Sequence, residues 1–416
     1  MPLKVLICGG GCAGPALAYW LSRAGHSVTV VERFPILRAA GAQIDIRDQG
    51  ISVAERMGLL EKIRGITVDE DGMAFVDEQG GLVGTMMANK TGKGAQVFTS
   101  EFEIMRGDFV RLLYDETKDA VKYVFGTTVE RHEQKGNSVV AYLSDGTSGE
   151  YDILVGADGQ GSRVRASIMP EGAPDEHRRF GLYGAYFFVP RLETDNNLST
   201  MCSTTGGRMT LRRTHSETEC NAVIFMADSS PDLRSLPRAP VEKQKEVWKQ
   251  RFQGIGPPTD RLLEGMMESE DFYCQEVVQI RTPTWYKGRV VLLGDAANCP
   301  SPFAGAGLSC SLVGSYVLAG EICKHPEEPS TAFANYEKAV RPYVEKVQDG
   351  VTPFGISLGL PKSWLGVSVL RLIFRVVLFL RLPELAARFW GDEKGGWGLP
   401  EYPEMEAMAR AASEGK

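Results

Sequence analysis

Val290-Val291-Leu292-Leu293-Gly294-Asp295-Ala296-Ala297 runs directly into Asn298-Cys299-Pro300-Ser301-Pro302-Phe303-Ala304-Gly305-Ala306-Gly307-Leu308. Four uninterrupted apolar residues predict a buried strand. It breaks at Gly294-Asp295, where a carboxylate at a strand end can meet a sugar-type hydroxyl. Pro300 and Pro302 stiffen the loop, and Gly305 and Gly307 bare the backbone. An apolar, small-residue helix is predicted to start after Gly307, and its first turn carries unpaired N–H groups and partial positive charge. The stretch is built to let something flat and electron-rich approach the main chain.

Working outward, the N-terminus supplies a second ligand-facing turn. Lys4–Cys8 reads as a strand, Gly9-Gly10-Gly11-Cys12-Ala13-Gly14 as a glycine turn, Ala16 to Ala24 as a helix and Ser27–Glu32 as another strand. Strand, Gly-x-Gly-x-x-Gly, helix, strand and acidic residue in this order predict a dinucleotide site. Gly9 makes the turn, Gly11 admits a pyrophosphate at the helix N-terminus, Gly14 lets helix and strand pack, and Glu32 can hold ribose hydroxyls. This motif alone does not separate NAD from FAD. Two further segments stand between the ends: Ile104-Met105-Arg106-Gly107-Asp108, opening a helix, and Ile153-Leu154-Val155-Gly156-Ala157-Asp158-Gly159, a strand ending in Asp-Gly.

Gly9-x-Gly11-x-x-Gly14 with Glu32, Arg106, Asp158-Gly159 and Gly294-Asp295 resembles the group A flavoprotein monooxygenases, the p-hydroxybenzoate hydroxylase fold. The resemblance runs to about residue 345. Within it, Glu32–Arg38 and Gly41–Arg47 resemble the tetracycline-destructase branch and are similar to fungal secondary-metabolite hydroxylases. The resemblance implies an α/β fold: a Rossmann-like FAD-binding domain (1–72, 101–177 and 281–345), an inserted antiparallel-sheet substrate domain (73–100 and 178–280) and a C-terminal helical segment (346–416). It implies FAD held by Gly9, Gly11, Gly14, Glu32, Arg33, Asp45, Arg106, Asp158, Asp295, Ala306, Gly307 and Leu308, with Pro302, Gly305 and Gly307 shaping the ring site. Arg38 is either an NADPH contact or a solvated surface arginine. Asp45, between Ile44 and Ile46, is expected to be buried and hydrogen-bonded.

The implied reaction is insertion of one oxygen atom from O2 into an aromatic or polycyclic molecule through a flavin C4a-hydroperoxide, with NADPH or NADH as donor. It belongs to secondary-metabolite biosynthesis or antibiotic inactivation. Such chemistry is the cofactor's and needs no side-chain nucleophile. The alternatives are a reductase or halogenase of the same fold, or a non-catalytic flavin-binding regulator; the halogenase segment Trp-x-Trp-x-Ile-Pro is not found.

Alternating apolar and aromatic residues over 178–280 predict an antiparallel sheet interrupted by one helix, Val241–Phe252, with Pro257-Pro258 breaking the chain after it. Tyr183, Arg208 and Met226 are the candidate substrate contacts, against a reading of sheet packing for Tyr183 and a solvated hairpin end for Arg208. Ala332–Val347 predicts a helix that Pro342 kinks or ends. Trp364–Leu382 predicts an apolar helix that either bridges both domains, the favoured reading, or lies on a membrane surface. Residues 401–416 are expected to fray.

Composition sets the outer limits. The 416 residues, 43% hydrophobic and 24% charged, exceed one ordinary core. The net charge of −7 and the lack of a basic stripe argue against nucleic acid. Eight scattered cysteines and five histidines give no metal-ligand spacing and fit a reducing compartment. Met1-Pro2-Leu3-Lys4 has no signal-peptide layout, and a cytoplasmic monomer or weak dimer is expected.

Overall fold

The computed structural model describes residues 2–37, 41–88, 101–173, 176–380 and 397–414. In chain order the elements are β1 (Lys4–Cys8), α1 (Ala13–Arg23), β2 (Ser27–Glu32), β3 (Gln43–Asp45), α2 (Gln49–Arg56), α3 (Leu60–Arg64), β4 (Gly72–Val76) and β5 (Leu82–Met87). Then come β6 (Glu103–Met105), α4 (Arg106–Thr117), β7 (Lys122–Phe125), β8 (Val129–Lys135), β9 (Ser138–Leu143), β10 (Ser148–Tyr151), β11 (Ile153–Gly156) and α5 (Arg163–Ile168). The middle holds β12 (His177–Pro190), β13 (Leu198–Thr204), β14 (Arg208–Thr214), β15 (Glu219–Ala227), α6 (Val241–Phe252), α7 (Pro257–Glu268) and β16 (Tyr273–Ile280). The chain closes with β17 (Tyr286–Lys287), β18 (Val290–Leu292), α8 (Asp295–Asn298), α9 (Gly307–Lys324), α10 (Pro329–Asp349), α11 (Pro353–Gly359), α12 (Trp364–Phe379) and α13 (Pro403–Glu414).

Two large sheets organise these elements. The first has the order β17-β18-β11-β1-β2-β7, parallel from β18 to β7. Val5, Leu6, Ile7, Leu154, Val155, Val291 and Leu292 are fully buried in it, as expected of parallel strands covered on both faces. The helix pair α1 and α9 packs together, with α2, α4 and α10 around it. The strand order places the C-terminal ends of β1, β11 and β18 side by side, so three turns far apart in sequence share one edge.

The second sheet has the order β16-β12-β15-β14-β13-β4-β5. Its pairings are antiparallel except β13 with β4. Successive side chains alternate faces. One face, with Tyr183, Ala185, Phe187, Ile224 and Met226, packs beneath Trp248, Phe252, Leu262 and Met266 of α6 and α7. The other, with Leu182, Tyr186, Met209, Val223 and Phe225, packs towards Ala42 and Leu360. Each large apolar side chain buried here contributes about 1.5–3 kcal/mol.

Three helical expectations are corrected or narrowed. Pro257-Pro258 does not break the chain but starts α7, since a missing N–H costs nothing in a first turn. Pro342 lies inside α10, which continues to Asp349, so of the two readings it does not end the helix. Residues 403–414 form a helix rather than a frayed end. Tyr402 leads into that helix and fills the space over Gly320, where a Cβ would lie 2.2 Å from its ring, and its hydroxyl donates to Glu321 Oε1 at 2.9 Å.

Candidate active site

The β1–α1 turn is shaped by close approach. A Cβ on Gly14 would sit 2.0 Å from the Gly9 carbonyl oxygen, and one on Gly9 would sit 2.2 Å from that of Ala157. At Gly11 the nearest neighbour of a Cβ would be Arg106 Nη2, at 3.4 Å, so the main chain there faces open space beside a guanidinium. The Glu32 carboxylate accepts from the N–H groups of Gly10 at 2.7 Å and Phe34 at 3.0 Å. Each oxygen keeps a further lone pair for a ribose hydroxyl. Arg33 is exposed beside it, its guanidinium 5.1 Å from the Phe34 ring centre.

Arg106 opens α4 and carries its charge towards Cys12, Tyr273 and Asp295. Burial pushes the Asp295 carboxyl up from its ordinary value, and the Arg106 charge is the leading opposing influence. A cation and an anion from different turns therefore influence each other electrostatically at this end of the sheet.

Asp158, expected as a cofactor contact, also holds the start of the next helix. Its Oδ1 accepts from the Ser162 hydroxyl and its Oδ2 from the Arg163 N–H at 2.8 Å, so it caps α5. That helix carries Arg165, only 2% exposed, which donates to Glu176 Oε1 at 2.9 Å, to Gln160 O at 2.6 Å and to Ala296 O at 3.1 Å. Asp158 thus acts through Arg165 on the segment after Asp295. The Ser162-x-x-Arg165 spacing was visible in sequence; its target was not.

The loop after α8 is strained and open. Ser301 has φ 82°, rare for a side-chain-bearing residue, and Gly305 has φ 59°. Pro302–Ala304 form a single tight turn. A Cβ on Gly307 would meet nothing nearer than Pro300 Cγ at 3.9 Å. The first amide of α9 to reach a carbonyl of the preceding turn is that of Cys310, bonded to Ala306 O at 2.9 Å. The N–H groups of Gly307 and Leu308 thus precede the helix's own hydrogen bonding and face an uncluttered backbone trough beside half-buried Ala306. These turns suit a pyrophosphate at Gly11 and a flat ring at Gly305–Leu308, so the residues fit FAD.

Asp45 is buried, as expected, and pairs with Arg47. Burial raises its pKa and Arg47 opposes the rise. Arg47 was not anticipated. Its N–H donates to Ser309 Oγ at 2.8 Å, and its guanidinium carbon would lie 3.7 Å from a Cβ on Gly305. The Asp45-x-Arg47 spacing was the available signal, since residues two apart in extended chain share a face. Arg213 was also missed. It donates to Glu70 at 2.9 Å and to Glu103 at 3.1 Å, tying β14 to β6 and to the segment leading into β4.

Tyr183, Met226 and Arg208 lie on the far face of the second sheet. Tyr183 and Met226 pack under α6 and α7, and Arg208 donates to Arg251 O at 2.6 Å, at the end of α6. Alternation puts these three on one face, and Tyr183 takes the sheet-packing place that stood against its substrate reading. Their neighbours Tyr186 and Phe225 face the loop instead. The Phe225 ring meets Phe303 at 5.1 Å, and Tyr186 stacks on Tyr273 at 4.8 Å. Arg38 lies outside the described residues.

Residues 2–351 match the family described as FAD binding domain. The chain is 37% identical to the FAD-dependent monooxygenase asL4 of Sarocladium schorii, covering 97% of this chain and 99% of that one. It is 40% identical to the flavin-dependent monooxygenase eupH of a Phoma species, over 89% and 91% of the two chains. The solved structure of tetracycline destructase Tet(51) superposes with a TM-score of 0.77 at 29% identity, covering 97% of this chain and all of that one. With the glycine turn, the electrostatically coupled Arg106 and Asp295, and the open loop before α9 all in place, the chain belongs to the FAD-binding family and is a group A, FAD-dependent flavoprotein monooxygenase.

Proposed function

We propose that this monooxygenase inserts one oxygen atom from O2 into an aromatic or polycyclic secondary metabolite, with NADPH or NADH as electron donor. The observation that carries this reading is the contact of Phe225 with Phe303, which lays an aromatic sheet face directly over the ring-site loop. When bound, the flavin supplies O2 activation and oxygen transfer.

The protein's own part is placement. Gly11, Glu32 and Arg106 take the nucleotide end and Asp295 the sugar-alcohol chain. The amides of Gly307 and Leu308 hold negative charge at the ring edge. Tyr186, Phe225, Tyr273 and Phe303 receive a planar substrate and exclude water from the reacting face. Residues 1–72, 101–177 and 281–345 serve as the cofactor unit and the inserted sheet as the substrate unit. The similarity to FAD-dependent monooxygenases of Sarocladium schorii and a Phoma species and to a tetracycline destructase supports a multi-ring substrate.

NADPH and NADH oxidation measured against a panel of phenols, polyketides and tetracyclines tests the reading. A substrate that accelerates oxidation and gains the mass of one oxygen supports it. Oxidation that no aromatic compound stimulates overturns it.

A further inference from the structure

We propose that the outer face of α11 and α12 docks this enzyme onto an anionic lipid surface. The helix α12 is apolar on two faces. One is packed: Val367 and Leu370 are buried, Phe374 meets Phe75 at 4.3 Å between ring centres, and Leu378 covers Gly84 of β5. The other carries Leu365, Val369, Leu372, Ile373 and Val376, spaced as one helical stripe, and all of them are exposed. The bridging helix favoured from sequence is therefore attached by one side only, and among the described residues nothing covers the stripe.

Aromatic side chains mark its ends. Trp364 is 72% exposed at the start of α12 and Phe379 is 87% exposed at its end. Phe354 and Leu358 of α11 and Leu82 and Met87 of β5 are exposed too. Between β5 and α12 opens an apolar groove of about 540 Å³, lined by Val83, Gly84, Arg375, Val376, Leu378 and Phe379. A groove of this make-up accepts part of an acyl chain.

Charge selects the occupant. From Pro353 to Leu380 the chain carries Lys362, Arg371 and Arg375 and no acidic residue, in a protein of net charge −7. Arg371 is held by Glu78 on the packed side, while Arg375 is exposed at the groove. In a two-fold dimer through this face each Arg375 would meet an apolar or cationic copy of the same patch. On a lipid surface its stem lies along the tails and its guanidinium reaches a phosphate. No helix of the described residues is long and apolar enough to cross a membrane. At about 1.5 Å per residue, the 16 residues of α12 suit lying flat in the interface.

Flotation of the FAD-loaded full chain with phosphatidylcholine vesicles, with and without phosphatidylserine, is the test. Co-flotation with the anionic vesicles, weakened by high salt, is expected, together with a blue shift of tryptophan emission that Trp364→Phe removes. Leu372→Glu combined with Val376→Glu should reduce partitioning about tenfold or more while leaving flavin content and NADPH oxidation unchanged. Should that double variant fail to fold, Arg375→Gln should still lower anionic-vesicle binding about fivefold. Absence of flotation, or flotation that none of these variants changes, overturns the proposal. So does a dimer in sedimentation velocity that the glutamate pair dissociates, which would make the face a self-interface.

Discussion

Arg165 on α5 donates to the carbonyl oxygen of Ala296 at 3.1 Å, joining residues 131 positions apart. The Asp-Gly and Gly-Asp turns are thereby one mechanical unit: Asp158 caps α5, α5 carries Arg165, and Arg165 holds the peptide that follows Asp295.

Arg165→Ala should therefore loosen FAD while destabilising the fold by roughly 3 kcal/mol, because buried acceptors lose their donor. Flavin absorbance after gel filtration and a thermal melt report the two effects. Arg165→Lys, which keeps the charge but not the fork, should recover stability better than flavin retention. Retention equal to wild type in the alanine variant would show that the link is idle.

Asp295→Ala should reduce FAD affinity about tenfold or more at unchanged fold, through loss of a charge-assisted hydrogen bond. Titration of the apoprotein with FAD, followed by quenching of flavin fluorescence, measures it. Unchanged affinity would remove Asp295 from the site.

The two faces of the second sheet should separate in kinetics. Phe225→Ala should raise KM for the aromatic substrate severalfold, with FAD content unaltered, because it strips the ring over the loop. Met226→Leu, its neighbour on the opposite face, should leave KM unchanged and cost under about 1.5 kcal/mol as a volume-conserving core swap. Equal effects on KM would mean that the aromatic face does not receive substrate.

Glu103 should make stability pH-dependent. Burial pushes its carboxyl up to about 7; Arg213 opposes the rise, while Asp45 and Glu70 reinforce it. Gln43 and Arg213 bond the same oxygen. Its ordinary value is 4.5, so between there and about 7 the folded state binds more protons than the unfolded chain. This group's contribution to stability is then present in full below the window and lost as pH rises through it. Glu103→Gln should remove that slope, amounting to about 2–4 °C in melting temperature across the window. Parallel melts of the two proteins between these pH values check the sign.

Tyr402→Ala should cost about 3 kcal/mol by emptying the space over Gly320, and truncation before residue 400 should do the same. Chemical denaturation measures both. A loss below about 1 kcal/mol would restore the frayed reading of the C-terminus.

Local chemistry made much of this protein legible in one dimension. Gly9 and Gly14 announce a turn because only a missing Cβ permits the approaches seen there, while Gly11 leaves its main chain open beside Arg106. Val290–Leu293 announces a buried parallel strand through unbroken apolarity, and Asp45 announces burial through its apolar neighbours. From such signals the FAD fold and the loop before α9 were readable. What only the tertiary structure decided are choices that local pattern leaves degenerate. Alternation says that Tyr183 and Tyr186 lie on opposite faces, but which face meets the ring loop depends on where α6 and α7 pack. That the carboxylate of Asp158 also holds the first turn of α5 was not written in the Asp-Gly pair itself. Arg213 met Glu70 and Glu103 only when β14, β6 and the segment leading into β4 came together, since ion pairs distant in sequence leave no periodic trace in it.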